Sequence, residues 1–153
     1  MDSLVRRFDS LRAPVLSRHA RPTDGTIDKI NEHFGIRLPR TLVQLAKHSA
    51  AYDAYFLSIG ADYASQSHII RVNSYWRRRR MKRRIPPNLV VITEGYMDDL
   101  FWCLDTSSPC CTGDGYAVQF WCPEKLTYSS SGRPVQRYPD FESYMEGVIK
   151  WSA

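Results

Sequence analysis

No uncharged apolar run in this 153-residue sequence approaches the roughly 20 residues that are needed to cross a bilayer. The first residues, Met1 to Arg7, carry charges at positions where a secretory signal needs an apolar segment. The sequence therefore predicts a cytoplasmic protein with no membrane partner. With 43% hydrophobic and 24% charged residues, its composition is that of a globular domain large enough to fold around its own core.

The sequence also lacks the Cys-x-x-Cys pairs that zinc sites usually contain, in which two thiolates on one tight turn bind the metal with little ordering cost. Cys103 and Cys122 lie in apolar runs and are predicted to pack as small hydrophobic residues. Cys110 and Cys111 are adjacent in a Ser/Pro/Gly loop, and their redox role stays open. We expect no metal site and no cofactor.

Signatures of common active sites are missing as well. There is no Gly-rich phosphate loop, no Gly-x-Ser-x-Gly and no His-Glu-x-x-His. The four histidines lie in unrelated contexts, and a lone histidine is more often a surface or core residue than a base. The sequence therefore predicts no catalytic residues and a protein that is not an enzyme.

Positive and negative charges are segregated along the chain. Residues 71–84 hold eight basic residues and no acidic one, whereas residues 85–124 hold six acidic residues and neither Lys nor Arg. Of the 21 basic residues, 13 therefore lie outside the cationic segment, against 16 acidic residues. The net charge of +5 thus describes one cationic segment attached to a mildly acidic body.

Helical spacing of apolar residues predicts three helices in the first third of the chain. Residues 4–11 form one apolar face, and a second helix begins at a cap among residues 23–26 and ends at Gly35. The third helix begins at Leu38-Pro39, where the missing proline donor costs nothing, and ends near Ser49.

Runs rich in β-branched and aromatic residues predict strands at 55–59, 68–72, 89–93, 101–104 and 116–121. The cationic segment is predicted to be helical from Ser74 to Arg84, and Asp140 is predicted to cap a last helix with an apolar face over 141–149. Sequential strands joined by short polar turns normally pair antiparallel. The sequence therefore predicts an α+β fold, with N-terminal helices and a C-terminal helix packed on a mainly antiparallel sheet.

Four segments of the chain, taken in order, carry a family resemblance. Residues 27–39 combine a small helix, a Gly and a Leu-Pro helix start, and residues 85–92 form a Pro-led strand. Two further strands follow within residues 101–121, and residues 139–144 begin a helix that contains Phe141. Together they resemble the SUKH superfamily, the Smi/Knr-type domain. The resemblance implies a SUKH-like domain over 26–153, preceded by a helix and link over 1–25 within one domain overall.

This resemblance implies a function without catalysis. Bacterial SUKH proteins are largely immunity proteins of polymorphic and contact-dependent toxin systems, and they bind and block a cognate toxin. The expected partner is therefore a protein toxin. A nuclease would suit the acidic part of the chain, because nuclease sites are commonly cationic to hold phosphate.

Inhibition by binding needs aromatic or Arg anchors and charges that speed encounter. We favour the acidic turn at residues 94–99 as the binding surface. Its candidate binding residues are Glu94, Tyr96, Asp98 and Asp99. The alternative is an ordinary turn with solvated charges and no binding role. A second candidate lies in residues 50–55, where Tyr52 and Asp53 either meet a partner or enter the sheet.

The cationic segment supports a rival function. A helix with cations on every side neutralises several phosphates, and the neighbouring Tyr75 and Trp76 offer rings on which bases can stack. Nucleic acid is therefore the alternative partner. Three other interpretations fit the same residues. They can lie on a solvated helix, they can pair with the acidic half of the chain, or they can contact an acidic toxin. They are Arg77, Arg78, Arg79, Arg80, Lys82, Arg83 and Arg84.

Overall fold

A computed structural model describes residues 3–11, 20–60, 67–79, 84–93, 101–110, 115–122 and 137–152. Within them lie five α-helices and four strands, which confirms the predicted α+β fold. The helices are α1 (Ser3–Ser10), α2 (Asp24–Phe34), α3 (Arg40–His48), α4 (His68–Arg77) and α5 (Phe141–Ser152). The strands are β1 (Leu89–Val91), β2 (Phe101–Pro109), β3 (Tyr116–Trp121) and β4 (Arg137–Tyr138).

The first three helices begin and end where the local signals predict. Thr23 caps α2 by accepting a hydrogen bond from the Thr26 backbone N–H, at 3.2 Å. Gly35 ends α2 in the left-handed conformation with φ of 64°, which a glycine adopts without a steric cost. Pro39 stands at the N-cap of α3, and Ser49 ends that helix.

The four strands form one antiparallel sheet in the order β1-β2-β3-β4, which confirms the predicted antiparallel pairing of the strands at 89–93, 101–104 and 116–121; β4 was not predicted. The outer edge of β1 is extended by Phe56, which forms an isolated bridge with Thr93, and by the Leu57 backbone N–H, which donates to Ile92. An edge that is covered in this way is not offered to another chain for strand pairing.

Two predicted strands in the middle of the chain are wrong. Residues 55–59 follow the 3₁₀ turn Tyr52–Ala54 and contribute the Phe56 bridge and the Leu57 hydrogen bond rather than a strand, and residues 68–72 are the first half of α4. Ile69, Asn73 and Trp76 are all buried at helical spacing, so packing against the sheet outweighs the β preference of the isoleucines and valine.

The cationic helix is shorter than predicted. It begins at His68 rather than at Ser74 and ends at Arg77, and residues 84–86 are not helical. Pro86 and Pro87 disfavour a helix at the residues that precede them. Residues 80–83 lie outside the described residues.

Buried Asn73 attaches α4 to the edge of the sheet. Its Nδ2 donates to the carbonyls of Ile69 at 2.8 Å and Val91 at 2.9 Å, and its Oδ1 accepts from the Val91 N–H at 2.8 Å. The amide therefore pairs with Val91 as a neighbouring strand would, and it fixes the position of α4 relative to β1.

Helix α5 joins the N-terminal helices to the sheet. It contacts β3 and β4 on one side and α1 and α3 on the other. Asp140 caps it, accepting from the Ser143 N–H at 2.6 Å as predicted, and the helix continues through Trp151. Phe56 lies at the centre of the resulting core, with ring contacts to Phe8 and Phe141.

A buried carboxylate ties the strands together at the other end of the sheet. Asp105 accepts hydrogen bonds from Asn88, from Arg137 and from the backbone N–H and hydroxyl of Ser107. Burial raises the pKa of the Asp105 carboxyl, but these donors outweigh it and the net pKa is lowered. The ionised form is therefore the one that the fold stabilises.

Cys103 and Cys122 are buried, as the sequence predicts. Over the described residues, none of the helices is long and apolar enough to span a membrane.

Candidate functional site

The exposed side of α4 is the most distinctive surface in the described part of the chain. Five residues line a shallow pocket of about 470 Å³ there, and we call this surface the arginine face: Arg71, Ser74, Tyr75, Arg78 and Arg79. The first four recur at i, i+3, i+4 and i+7, so they share one side of the helix. Among the described residues, the lining contains three guanidinium groups and no carboxylate.

Tyr75 is the aromatic centre of the arginine face. It is 49% exposed, and the guanidinium carbon of Arg79 lies 4.3 Å from its ring centroid. This cation–π contact holds the flexible Arg79 side chain against a ring on a packed helix. The Arg79 side of the arginine face is thereby ordered by a contact within the chain.

Trp76 does not belong to this surface, although the sequence placed it beside Tyr75 as a stacking platform. It is buried, with ring contacts to Phe101 at 5.3 Å and Trp121 at 5.5 Å between centroids. Its indole therefore anchors α4 to the sheet and is not open to a nucleic-acid base.

The structure also divides the run of arginines. Arg77 turns inward, is half-buried, and lies 5.4 Å from the Phe34 ring centroid on α2. Burial lowers the pKa of its guanidinium, and among the described residues its Nε has no hydrogen-bond partner. Arg78 and Arg79 are exposed, and Arg84 Nε donates to the Arg79 carbonyl at 3.4 Å. Arg80, Lys82 and Arg83 lie outside the described residues.

Tyr52 lies in the core rather than on the surface. It is 2% exposed, stacks on Phe56, and donates its hydroxyl hydrogen to the Leu57 carbonyl at 3.0 Å. Burial, with the nearby Asp53 carboxylate, raises the pKa of Tyr52 well above its ordinary value. Burying this large and mostly apolar ring in the core stabilises the fold more than leaving it exposed on a solvated turn would. Asp53 is half-exposed.

The acidic turn, with Glu94, Tyr96, Asp98 and Asp99, lies outside the described residues. Its described neighbours are Thr93 and Phe101, and the Trp102 N–H donates to Thr93 Oγ1 at 2.9 Å.

A second cleft, of about 630 Å³, lies between α2, the start of α3 and the β2–β3 hairpin. Its walls carry both signs of charge, with Asp24 and Asp28 opposite in sign to Arg37 and Arg40. Asp24 is already paired with Lys47 at 2.5 Å, and that contact lowers the pKa of the carboxyl. The cleft is therefore balanced in charge, unlike the arginine face.

Close backbone contact shapes this cleft. Gly115 has φ of 91°, and a Cβ at that position would lie 2.6 Å from Pro39 Cγ. The hairpin therefore packs against the start of α3 at a distance that only glycine permits. The residues lining the cleft come from separate segments of the chain, and no sequence motif links them.

Groups of three or more metal-ligating side chains (His, Cys, Asp or Glu) are not found in the described ranges.

Comparison with known proteins places this arrangement in a family. The model of the SMI1 / KNR4 family (SUKH-1) matches residues 21–147, which is most of the chain. The chain belongs to the SMI1 / KNR4 family. The SUKH resemblance of the four segments is thereby confirmed. The matched residues include those that line the arginine face and those that line the second cleft, between α2, α3 and the β2–β3 hairpin.

A solved structure shows the same fold as this SMI1 / KNR4 family member. It is the crystal structure of a protein from Pseudomonas syringae pv. tomato, with a TM-score of 0.63 and 12% sequence identity. The alignment covers 98% of this chain and 99% of that one, so the likeness extends over the whole fold. No curated protein matches the chain in sequence.

Proposed function

We propose that this SMI1 / KNR4 family protein is a non-catalytic immunity protein that binds and neutralises a cognate protein toxin in the cytoplasm. The toxin belongs to a polymorphic or contact-dependent system. The observation that carries this proposal is the family match over residues 21–147, because bacterial members of the superfamily are largely immunity proteins.

The surface chemistry of the described residues supports a binding role. An exposed tyrosine and arginines on a packed helix are typical of the few residues that contribute most to protein–protein affinity. Tyr75 on α4 and Arg79 just beyond the end of that helix are such a pair, and Asn73 holds α4 in place. The side chains that would contact a toxin are thus presented on a rigid element.

We further propose that residues 1–25 act with the family domain as one unit. Phe8 of α1 packs against Phe56, and the Arg7 guanidinium makes two hydrogen bonds to the Glu146 carboxylate on α5. Helix α1 therefore shares the core of the domain.

Co-expression tests the proposal directly. A toxic domain encoded beside the gene of this chain should arrest cell growth when produced alone, and co-production of the chain should restore growth. The purified proteins should form a stable complex in size-exclusion chromatography. Growth arrest that persists despite ample immunity protein, with no complex formed, would refute the proposed function.

The acidic turn remains our proposed contact with a cationic toxin site such as that of a nuclease. The double variant Asp98→Lys and Asp99→Lys reverses two charges, so it should slow association and weaken the complex. Isothermal titration calorimetry measures this effect. Unchanged affinity would remove the acidic turn from the interface while leaving the immunity function in place.

Nucleic-acid binding is the second candidate, and the charge of residues 71–84 favours it. Its prediction is a gel shift at low salt that weakens steeply as salt rises, and that disappears when Arg77 to Arg80 are replaced by Ala. Absence of any shift at low salt would dispose of this candidate.

A further inference from the structure

We infer that the second cleft, between α2, the start of α3 and the β2–β3 hairpin, is a docking site for an extended segment of the toxin that carries a basic and an acidic side chain. This inference rests on the proposed function and deepens it, because it names a recognition site and the chemistry of the segment that fits there. Asp28 and Arg37, which both line the cleft, are the residues that select the segment.

The size and the lining of the second cleft suit a short stretch of polypeptide. Its volume is about 630 Å³, and sites that enclose small ligands measure roughly 300–1,000 Å³. Ile27 and Leu38 are buried parts of the lining, and Val43 and Tyr116 are half-buried. An extended segment can therefore bury apolar area against these side chains while charged groups fix its position.

Contacts within the chain hold the walls of the second cleft in place. Asn31 Oδ1 accepts a hydrogen bond from the Leu38 N–H at 2.8 Å, which joins α2 to the start of α3. The Arg37 N–H donates to the Tyr116 hydroxyl at 3.4 Å, and Gly115 of the hairpin packs closely against the start of α3. The three walls are thus fixed relative to one another, so little of the chain has to become ordered when a segment binds.

Charges of opposite sign stand on different walls of this cleft. Asp24 and Asp28 lie on α2, and Asp24 is paired with Lys47, so Asp28 supplies the acidic character. Arg37 lies on the connection between α2 and α3, and Arg40, which also lines the cleft, already has an interaction within the chain.

Asp28 and Arg37 leave room between them for a bound segment. Both residues are exposed, and neither belongs to an ion pair that the structure describes. The carboxylate and the guanidinium therefore do not pair with each other across the cleft. A segment that lies between them can pair a basic side chain with Asp28 and an acidic side chain with Arg37.

This arrangement discriminates against partners of a single charge sign. The phosphates of a nucleic acid would be repelled by the Asp28 carboxylate, and a purely basic segment would be repelled by Arg37. A segment with both signs, in contrast, is attracted at both walls in one orientation only. The charges therefore favour a polypeptide and fix the direction in which it lies.

Reversing the polarity of the cleft tests this inference. The double variant Asp28→Lys and Arg37→Glu exchanges the two charges and leaves the net charge of the chain unchanged, so steering by net charge is preserved. Calorimetry with the toxin domain that the intact chain neutralises should show affinity weakened about 100-fold, since two attractive contacts become repulsive. The milder Arg37→Ala should weaken the complex about tenfold. Thermal melting checks that both variants remain folded.

A matched control exchanges two charges on the same helix but away from the cleft. Lys29 and Glu32 are exposed on α2 and are absent from the lining of the cleft. The double variant Lys29→Glu and Glu32→Lys should keep the affinity within about threefold, because distant surface charges are screened by salt. A loss as large as that of the polarity reversal would show that the effect is not specific to the cleft and would overturn the docking site.

The outcomes separate this inference from the proposed function. A chain that neutralises no toxin refutes the proposed function and the docking site that rests on it, whereas a toxin bound equally well by the wild type and by the polarity-reversed variant overturns the docking site alone. Calorimetry with free L-lysine and free L-glutamate tests whether a small molecule occupies the cleft instead. Binding of either one that is lost in the polarity-reversed variant, while the toxin affinity stays unchanged, would overturn the assignment to a protein partner.

Discussion

Replacing Asn73 tests whether one side chain holds α4 to the sheet. The Asn73→Ala substitution removes both hydrogen bonds to Val91 and the bond to the Ile69 carbonyl. Val91 and Asn73 are both 0% exposed, so water does not readily replace the lost amide. The Val91 N–H and carbonyl are then left buried without partners.

The expected cost follows from these lost bonds. A buried donor or acceptor left without a partner costs about 1–3 kcal/mol. The Val91 N–H and carbonyl together then give a loss of about 3 kcal/mol, because the Ile69 carbonyl keeps its place within the helix. For a chain of this size, that loss lowers Tm by about 6–12 °C.

Urea denaturation of the wild type and the variant measures the loss, and hydrogen exchange locates it. The amides of α4 should exchange faster in Asn73→Ala, whereas those of β2 and β3 should change little. Ser74→Ala is the matched control on the same helix, because Ser74 lines the arginine-face pocket rather than the contact with β1. A cost for Asn73→Ala below about 0.5 kcal/mol, the size of an ordinary surface change, would refute this account of α4.

Further predictions concern the buried carboxylate of Asp105 and Gly60, whose backbone lies close to the Ala20 carbonyl. The folded pKa of Asp105 lies below its unfolded value, so the ionised carboxylate stabilises the fold at neutral pH and the contribution is lost as pH falls below about 4. Asp105→Asn should therefore reduce the free energy of unfolding by about 2–3 kcal/mol at pH 7 and by less at pH 3 in urea titrations, while exposed Asp28→Asn serves as the control. A loss that is independent of pH would contradict this linkage. A Cβ at Gly60 would lie 1.7 Å from the Ala20 carbonyl oxygen, so Gly60→Ala should destabilise the fold by about 3 kcal/mol or more in thermal melts. Gly25→Ala, whose new Cβ would meet nothing closer than 3.8 Å, should change stability by less than about 1 kcal/mol; equal effects at the two glycines would show that the close approach at Gly60 is wrong.

Local signals in the sequence were sufficient for much of the fold. The cap at Thr23, the left-handed Gly35 and the proline at the start of α3 act through neighbouring backbone groups, so their effect is visible without the rest of the chain. The pairing of β1, β2 and β3 was predictable because short polar turns leave sequential strands little choice but to pair as neighbours. The order of the four family-like segments was likewise sufficient to identify the superfamily.

The candidate site depended on contacts that no local pattern contains. Residues 68–72 have the composition of a strand, and they are helical because Asn73 and Trp76 meet β1 and β2 from far along the chain. Arg77 is the last residue of α4 and reaches Phe34, whereas Arg78 and Arg79 follow the end of the helix and are exposed. The sequence by itself determined that one segment is strongly cationic; only tertiary packing decided which of its described side chains are buried and which are exposed.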